Sequence, residues 1–161
     1  MMKSMIDGRG LTRRRMLSNA AMGTIAIAGA SLFSRSAAAT RAEAMAAIKE
    51  RIGDKDPKTS SKIELDVPEI AENGSTVPMG VKVDSPMTDA DHVKAVHVMA
   101  TKNPDPEIIT FKFTPVSGRA EAQTRMRLAE TQEVVAVAEL SDGSTLMAQK
   151  KVKVTIGGCG G

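Results

Sequence analysis

From Lys62 to Ile156 the chain repeats one pattern, a short run of alternating apolar and polar residues followed by a turn signal. Ile63, Leu65 and Val67 alternate with Glu64 and Asp66; Val77, Met79, Val81 and Val83 alternate with Pro78, Gly80 and Lys82. Ile109, Phe111 and Phe113 flank Thr110 and Lys112. Ala120, Ala122, Thr124, Met126 and Leu128 alternate with Glu121, Gln123, Arg125 and Arg127, and Val152, Val154 and Ile156 with Lys151, Lys153 and Thr155. Successive side chains on a strand point to opposite faces, so each run offers one face to a core and one to water. Val93 to Ala100, apolar apart from Lys94 and His97, and Val134 to Leu140 break the alternation. Such runs suit strands covered on both faces. Glu72-Asn73-Gly74, Asp84-Ser85-Pro86, Asn103-Pro104-Asp105-Pro106, Val116-Ser117-Gly118 and Ser141-Asp142-Gly143-Ser144 separate the runs as turns. Asp142-Gly143 is the strongest hairpin signal. Seven short strands at this spacing predict an antiparallel β-sandwich over residues 62–156. It is immunoglobulin-like in shape only, since the chain has no Trp and one Cys.

A different period precedes the strands. Ala42, Met45, Ala46, Ile48 and Ile52 recur near helical spacing, predicting a helix over Arg41 to Ile52 that stops at Gly53. Asp54 to Ser61 reads as a polar linker, so residues 40–61 form an N-terminal helix and linker.

Residues 1–39 read as an export signal. A basic stretch containing Arg13 and Arg14 leads into a modest apolar run, Ala20 to Phe33, and then into Ala37-Ala38-Ala39. The run is too short to span a bilayer of roughly 30 Å, which excludes a membrane anchor. Thr12 to Leu17 matches the twin-arginine pattern, predicting export to a bacterial periplasm. Cleavage is expected after Ala39, with a second site a few residues later, around Ala42 to Ala44, as the alternative. The full chain carries a net charge of +3, but residues 1–39 hold six of its basic and one of its acidic residues. What remains has a net charge of −2, and aromatics make up only 2% of the chain. Nucleic acid is therefore not expected as a partner.

Catalytic material is sparse. His92 and His97 lack neighbouring Cys or carboxylates at ligand spacing, so no metal or other cofactor and no enzymatic activity are expected of the chain itself. Met87, Met99, Met126 and Met147 fall at strand spacing and read as core filling. The chemistry concentrates at residues 157–161, Gly157-Gly158-Cys159-Gly160-Gly161, directly after the last strand. The chain's one thiol thus sits on an arm without other side chains, reaching roughly 17 Å when extended. Flanking glycines leave the sulfur open and the backbone free to turn. The expected function is covalent carriage: the thiolate takes up a sulfur-containing group and presents it elsewhere. No cationic side chain flanks Cys159, so its activation would come from a partner.

The stretches Ile70-Ala71-Glu72-Asn73-Gly74 and Val83-Asp84-Ser85-Pro86-Met87, with the ending Val154-Thr155-Ile156-Gly157-Gly158-Cys159-Gly160-Gly161, resemble the SoxY family. These are sulfur carriers of the bacterial Sox thiosulfate-oxidation system, and the terminus is the most specific part of the match. The resemblance implies a heterodimer with a SoxZ-like subunit. It also implies thiosulfate-derived intermediates held on Cys159, beginning with a cysteine S-thiosulfonate, with Gly157, Gly158, Gly160 and Gly161 as the swinging arm. SoxXA would load the thiol, SoxB would release sulfate and SoxCD, where present, would oxidise the remaining sulfur. The alternative is a sandwich binding or adhesion module whose tail cysteine forms an intermolecular disulfide.

Overall fold

The computed structural model describes residues 41–158; the expected export signal with Arg13 and Arg14, and Cys159, Gly160 and Gly161, lie outside the described residues. The described chain opens with helix α1 (Arg41–Ile52) and continues through strands β1 (Lys58–Thr59), β2 (Ile63–Asp66), β3 (Ile70–Asn73) and β4 (Val77–Val83). Strands β5 (Val93–Ala100), β6 (Glu107–Lys112), β7 (Ala120–Met126), β8 (Gln132–Leu140) and β9 (Thr145–Ile156) follow, with a 3-10 turn at Pro115–Ser117.

The strands form two sheets. One has the order β1-β9-β8-β5-β6, with β3 also paired to β9; the other is β2-β4-β7. Their facing sides enclose the main core, built from Leu65, Val81, Met126, Val96, Val98, Val134, Ala136 and Val152 among others. The expected sandwich is thus present. Alternation decided which face of β2 and β4 turns inward: Ile63, Leu65, Val77, Met79, Val81 and Val83 are buried, while Glu64, Asp66, Pro78 and Lys82 are exposed.

The unbroken apolar run of β8 also finds its reason. Val134, Ala136 and Ala138 face the sandwich core, whereas Val135 and Val137 face outward under α1. There they meet Ala44, Ile48 and Ile52, which lie four residues apart on one helix face. Gly53 ends α1 with φ of +76°, a left-handed conformation that costs glycine little. The Asp142-Gly143 hairpin joins β8 to β9, with Gly143 at φ of +85°.

Two strands escaped the periodicity. The polar linker contains β1, and the presumed turn at Glu72-Asn73-Gly74 is β3 up to Asn73, with only Gly74 beyond the strand. Both pair with β9 in parallel, at Leu146–Met147 and from Lys153 onward. They lack alternation because both are two to four residues long and lie on a sheet edge, where burial imposes little pattern. β9 itself begins at Thr145, well before the run starting at Val152, because its first half, Leu146, Met147 and Ala148 included, pairs with β8.

Candidate functional site: the root of the C-terminal arm

Strand β9 carries the chain to the arm. Its last residues are gripped from two sides. β3 lies along one edge, pairing Ala71 with Val154 and Asn73 with Ile156. On the other edge the β8 ladder reaches only as far as Val152, opposite Gln132. Beyond it the hydroxyl of Thr131 takes over, accepting from Val154 N–H at 3.0 Å and donating to Val154 C=O at 3.4 Å.

The chain then enters a close backbone junction. Gly74 N–H donates to Ile156 C=O at 2.7 Å, and Leu128 N–H donates to Gly74 C=O at 2.8 Å. Gly158 N–H donates to Leu128 C=O at 2.9 Å. Three segments remote in sequence are therefore joined by main-chain bonds at one point. No side chain fits between them. A Cβ on Gly74 would collide with Leu128 C=O, one on Gly157 with Ala129 C=O, and one on Gly158 with the Gly74 carbonyl and Ser75 N.

A buried polar network holds the Leu128 segment in place. Asn103 donates through Nδ2 to Arg127 C=O at 2.9 Å, and its Oδ1 accepts from Ala129 N–H at 3.0 Å and Gln132 Nε2 at 2.8 Å. Gln132 Oε1 in turn accepts from Lys102 N–H at 2.8 Å. Asn103 and Gln132 are both buried, and Leu128 is fully buried in the core. Every polar atom named is satisfied, which makes such a network rigid.

Of the expected site residues, Gly157 and Gly158 lie at this junction. Cys159, Gly160 and Gly161 follow it outside the described residues. Residues 157–161 are expected from the sequence to form one free arm; in the structure the first two are packed and Gly158 is hydrogen-bonded. Gly74, Asn103, Leu128, Thr131 and Gln132 join the arm root without a sequence signal that points there. Asn103 and Gly74 stood out only as turn residues, and nothing local marks them as partners of the chain terminus.

Near the root, a groove of about 640 Å³ is lined by Val67, Glu69, Thr131, Lys150, Lys151 and Lys153. Elsewhere the histidines part company. His92 precedes β5, its Nδ1 3.1 Å from Thr88 C=O. His97 is buried on the α1 side of β5, its Nδ1 2.9 Å from Thr110 Oγ1, while Nε2 has no hydrogen-bond partner and lies 3.7 Å from Glu139. Burial pushes its pKa below the ordinary 6.5, with the Glu139 carboxylate opposing. Among the described residues no group of three or more His, Cys, Asp or Glu could hold a metal ion. Nor, among them, is any helix long and apolar enough to cross a membrane.

The model of the family "Sulfur oxidation protein SoxY" matches residues 48–159, a span that includes β9, the junction and the thiol. Among solved structures, the chain is similar to the sulfur carrier protein SoxY from Chlorobium limicola f thiosulfatophilum. Identity is 31%, with 70% of this chain and 96% of that chain covered and a TM-score of 0.60. It is also similar to a superoxide reductase (neelaredoxin) from Ignicoccus hospitalis, at 15% identity, covering 73% of this chain and 94% of that one, with a TM-score of 0.53. That second likeness is one of fold alone. A search of the curated proteins gave no match.

Proposed function

Because the chain belongs to the SoxY family, we propose that it is a carrier of the Sox system that holds thiosulfate-derived sulfur covalently on Cys159. The observation that supports this most is the placement of the chain's one thiol directly after the backbone junction at Gly158. A sandwich that ends in a narrow, side-chain-free terminus can present one sulfur to the active sites of other proteins. Small sulfur oxyanions offer little shape to bind, and a covalent tether turns each later encounter into delivery at a fixed place.

Loading forms a bond between the thiol sulfur and the sulfane sulfur of thiosulfate. The thiol proton leaves, and two electrons pass, one at a time, to an external one-electron acceptor, haem iron of a SoxXA-type enzyme. Hydrolysis of the resulting cysteine S-thiosulfonate by a SoxB-type enzyme adds one water, releases sulfate and leaves a persulfide on Cys159. A SoxCD-type enzyme, where present, oxidises that remaining sulfur. The carrier does none of this chemistry itself. It travels with a SoxZ-like subunit in the periplasm, having been exported by the twin-arginine route.

The test is the intact mass of the processed protein from cells grown on thiosulfate, with and without reductant. A reductant-sensitive sulfur adduct on Cys159, and loss of thiosulfate oxidation in Cys159→Ser, are expected. Absence of any adduct together with unimpaired oxidation in the variant would sink the reading. Disulfide-linked protein without sulfur adducts would point instead to the binding-module alternative.

A further inference from the structure

We propose that Gly74, Gly157 and Gly158 form a fixed mount for the thiol, so that the free arm starts after Gly158 and not at Gly157. The glycines of a diglycine next to a functional residue invite a reading as hinges. At this junction they do something else. Each lacks a Cβ where another backbone already lies: Gly157 against Ala129 C=O, Gly158 against the peptide of Gly74 and Ser75, and Gly74 against Leu128 C=O. Close approach of backbones, not conformational freedom, is what these positions need.

The bonding supports the same view. Gly74 is held through both of its backbone groups, to Ile156 and to Leu128, and Gly158 N–H closes the ring onto Leu128. Leu128 is fully buried, and the segment after it is fixed by Asn103. The terminus is therefore tied to the core through a short path of satisfied bonds. Cys159 is the first residue after Gly158, so only about 3.5 Å of backbone separates the mount from the residue that carries the thiol. The mount fixes the last described residue before the thiol, Gly158, between the backbone at Gly74–Ser75 and that at Leu128. Gly74, far from the thiol in sequence, becomes a positioning residue for it. An enzyme that works on Cys159 must approach close enough to touch those two segments.

The inference rests on the carrier reading only for that last consequence; its test uses no thiosulfate. Nuclear magnetic resonance on the full processed protein, labelled with nitrogen-15, compares Gly157 and Gly158 with Val152 and Val154 in the strand and with Gly160 beyond the mount. Heteronuclear Overhauser values at Gly157 and Gly158 should equal those of the strand. The Gly158 amide should exchange about tenfold or more slowly than that of Gly160. Gly158→Ala should raise the exchange rate at this position to the Gly160 level, while Gly160→Ala leaves it unchanged. Gly158 lies beyond the last strand, so this variant keeps the core even if Gly74→Ala fails to fold. A nitroxide on Cys159, measured against one on Val116→Cys, a site 95% exposed, adds a second readout. Its distance distribution should broaden in Gly158→Ala and not in Gly160→Ala. Gly157 and Gly158 averaging like Gly160 in the unaltered protein, or equal effects of the two alanine variants, would overturn the proposal. A failed mount leaves sulfur on Cys159 untouched, and an absent adduct leaves the amide protection untouched.

Discussion

Asn103 and Thr131 show how single polar side chains hold the arm root. Asn103 satisfies Arg127 C=O, Ala129 N–H and Gln132 Nε2 from a buried position. Asn103→Ala strands these groups without water, which costs about 1–3 kcal/mol for each buried group left unpaired, not all of it additive. We expect urea unfolding to show a loss of about 2–4 kcal/mol, with faster exchange at the Gly158 amide. Equal exchange in both proteins would show that the network does not support the junction. Thr131→Val is the milder case. Its shape is kept, but Val154 N–H loses its partner, and a loss of about 1–2 kcal/mol should appear in the same measurement. Neither role could be read from sequence, because Asn in Asn-Pro and Thr before a strand are ordinary loop residues.

At the scale of elements, α1 is held by its apolar face. Ala44, Ile48 and Ile52 are buried on Met99, Val135 and Val137. The ion pairs Arg41–Glu133, Arg51–Glu107 and Lys55–Glu139 flank this contact between partly exposed groups, where such pairs contribute about 0–1 kcal/mol. Ile48→Ala should therefore cost about 2–5 kcal/mol, whereas raising salt should change stability little; differential scanning calorimetry reads both. Under the helix, His97 adds a pH dependence. Thr110, Glu107, Glu139 and Arg51 surround it. Burial lowers its folded pKa below 6.5, so the unfolded chain takes up the proton first as pH falls. Its effect on stability is absent above pH 6.5 and grows as a loss below it, at up to about 1.4 kcal/mol per pH unit until the folded state protonates too. Melting temperature should fall between pH 7 and pH 5.5, and His97→Gln should flatten that fall. An unchanged slope in the variant would place the dependence on other groups.

At the scale of the whole molecule, the two sheets bury one core between them and α1 seals the outer face of the larger sheet. Far-ultraviolet circular dichroism should be that of a β protein with a minor helical component; a helix-dominated spectrum would refute the fold. At Ile156 and Gly158 the chain joins this body through main-chain bonds. Alternating runs follow from burial on one face, so β2, β4 and β7 are legible residue by residue; β5 and β8 show instead as unbroken apolar runs because both of their faces are covered, and α1 shows by its helical period and its stop at Gly53. β1 and β3 are edge strands with no such pressure, and they left no pattern.

By itself the sequence determined the sandwich, the helix and the position of the one thiol between paired glycines, since hydrophobic period and covalent order are local properties. Tertiary structure alone decided what those glycines are for. Gly74, Gly157 and Gly158 meet only because β3 adds in parallel to β9 and the Leu128 segment folds over the strand end. A glycine that bends and a glycine that lets two backbones touch are the same letter, and only the neighbours within a few ångströms tell them apart.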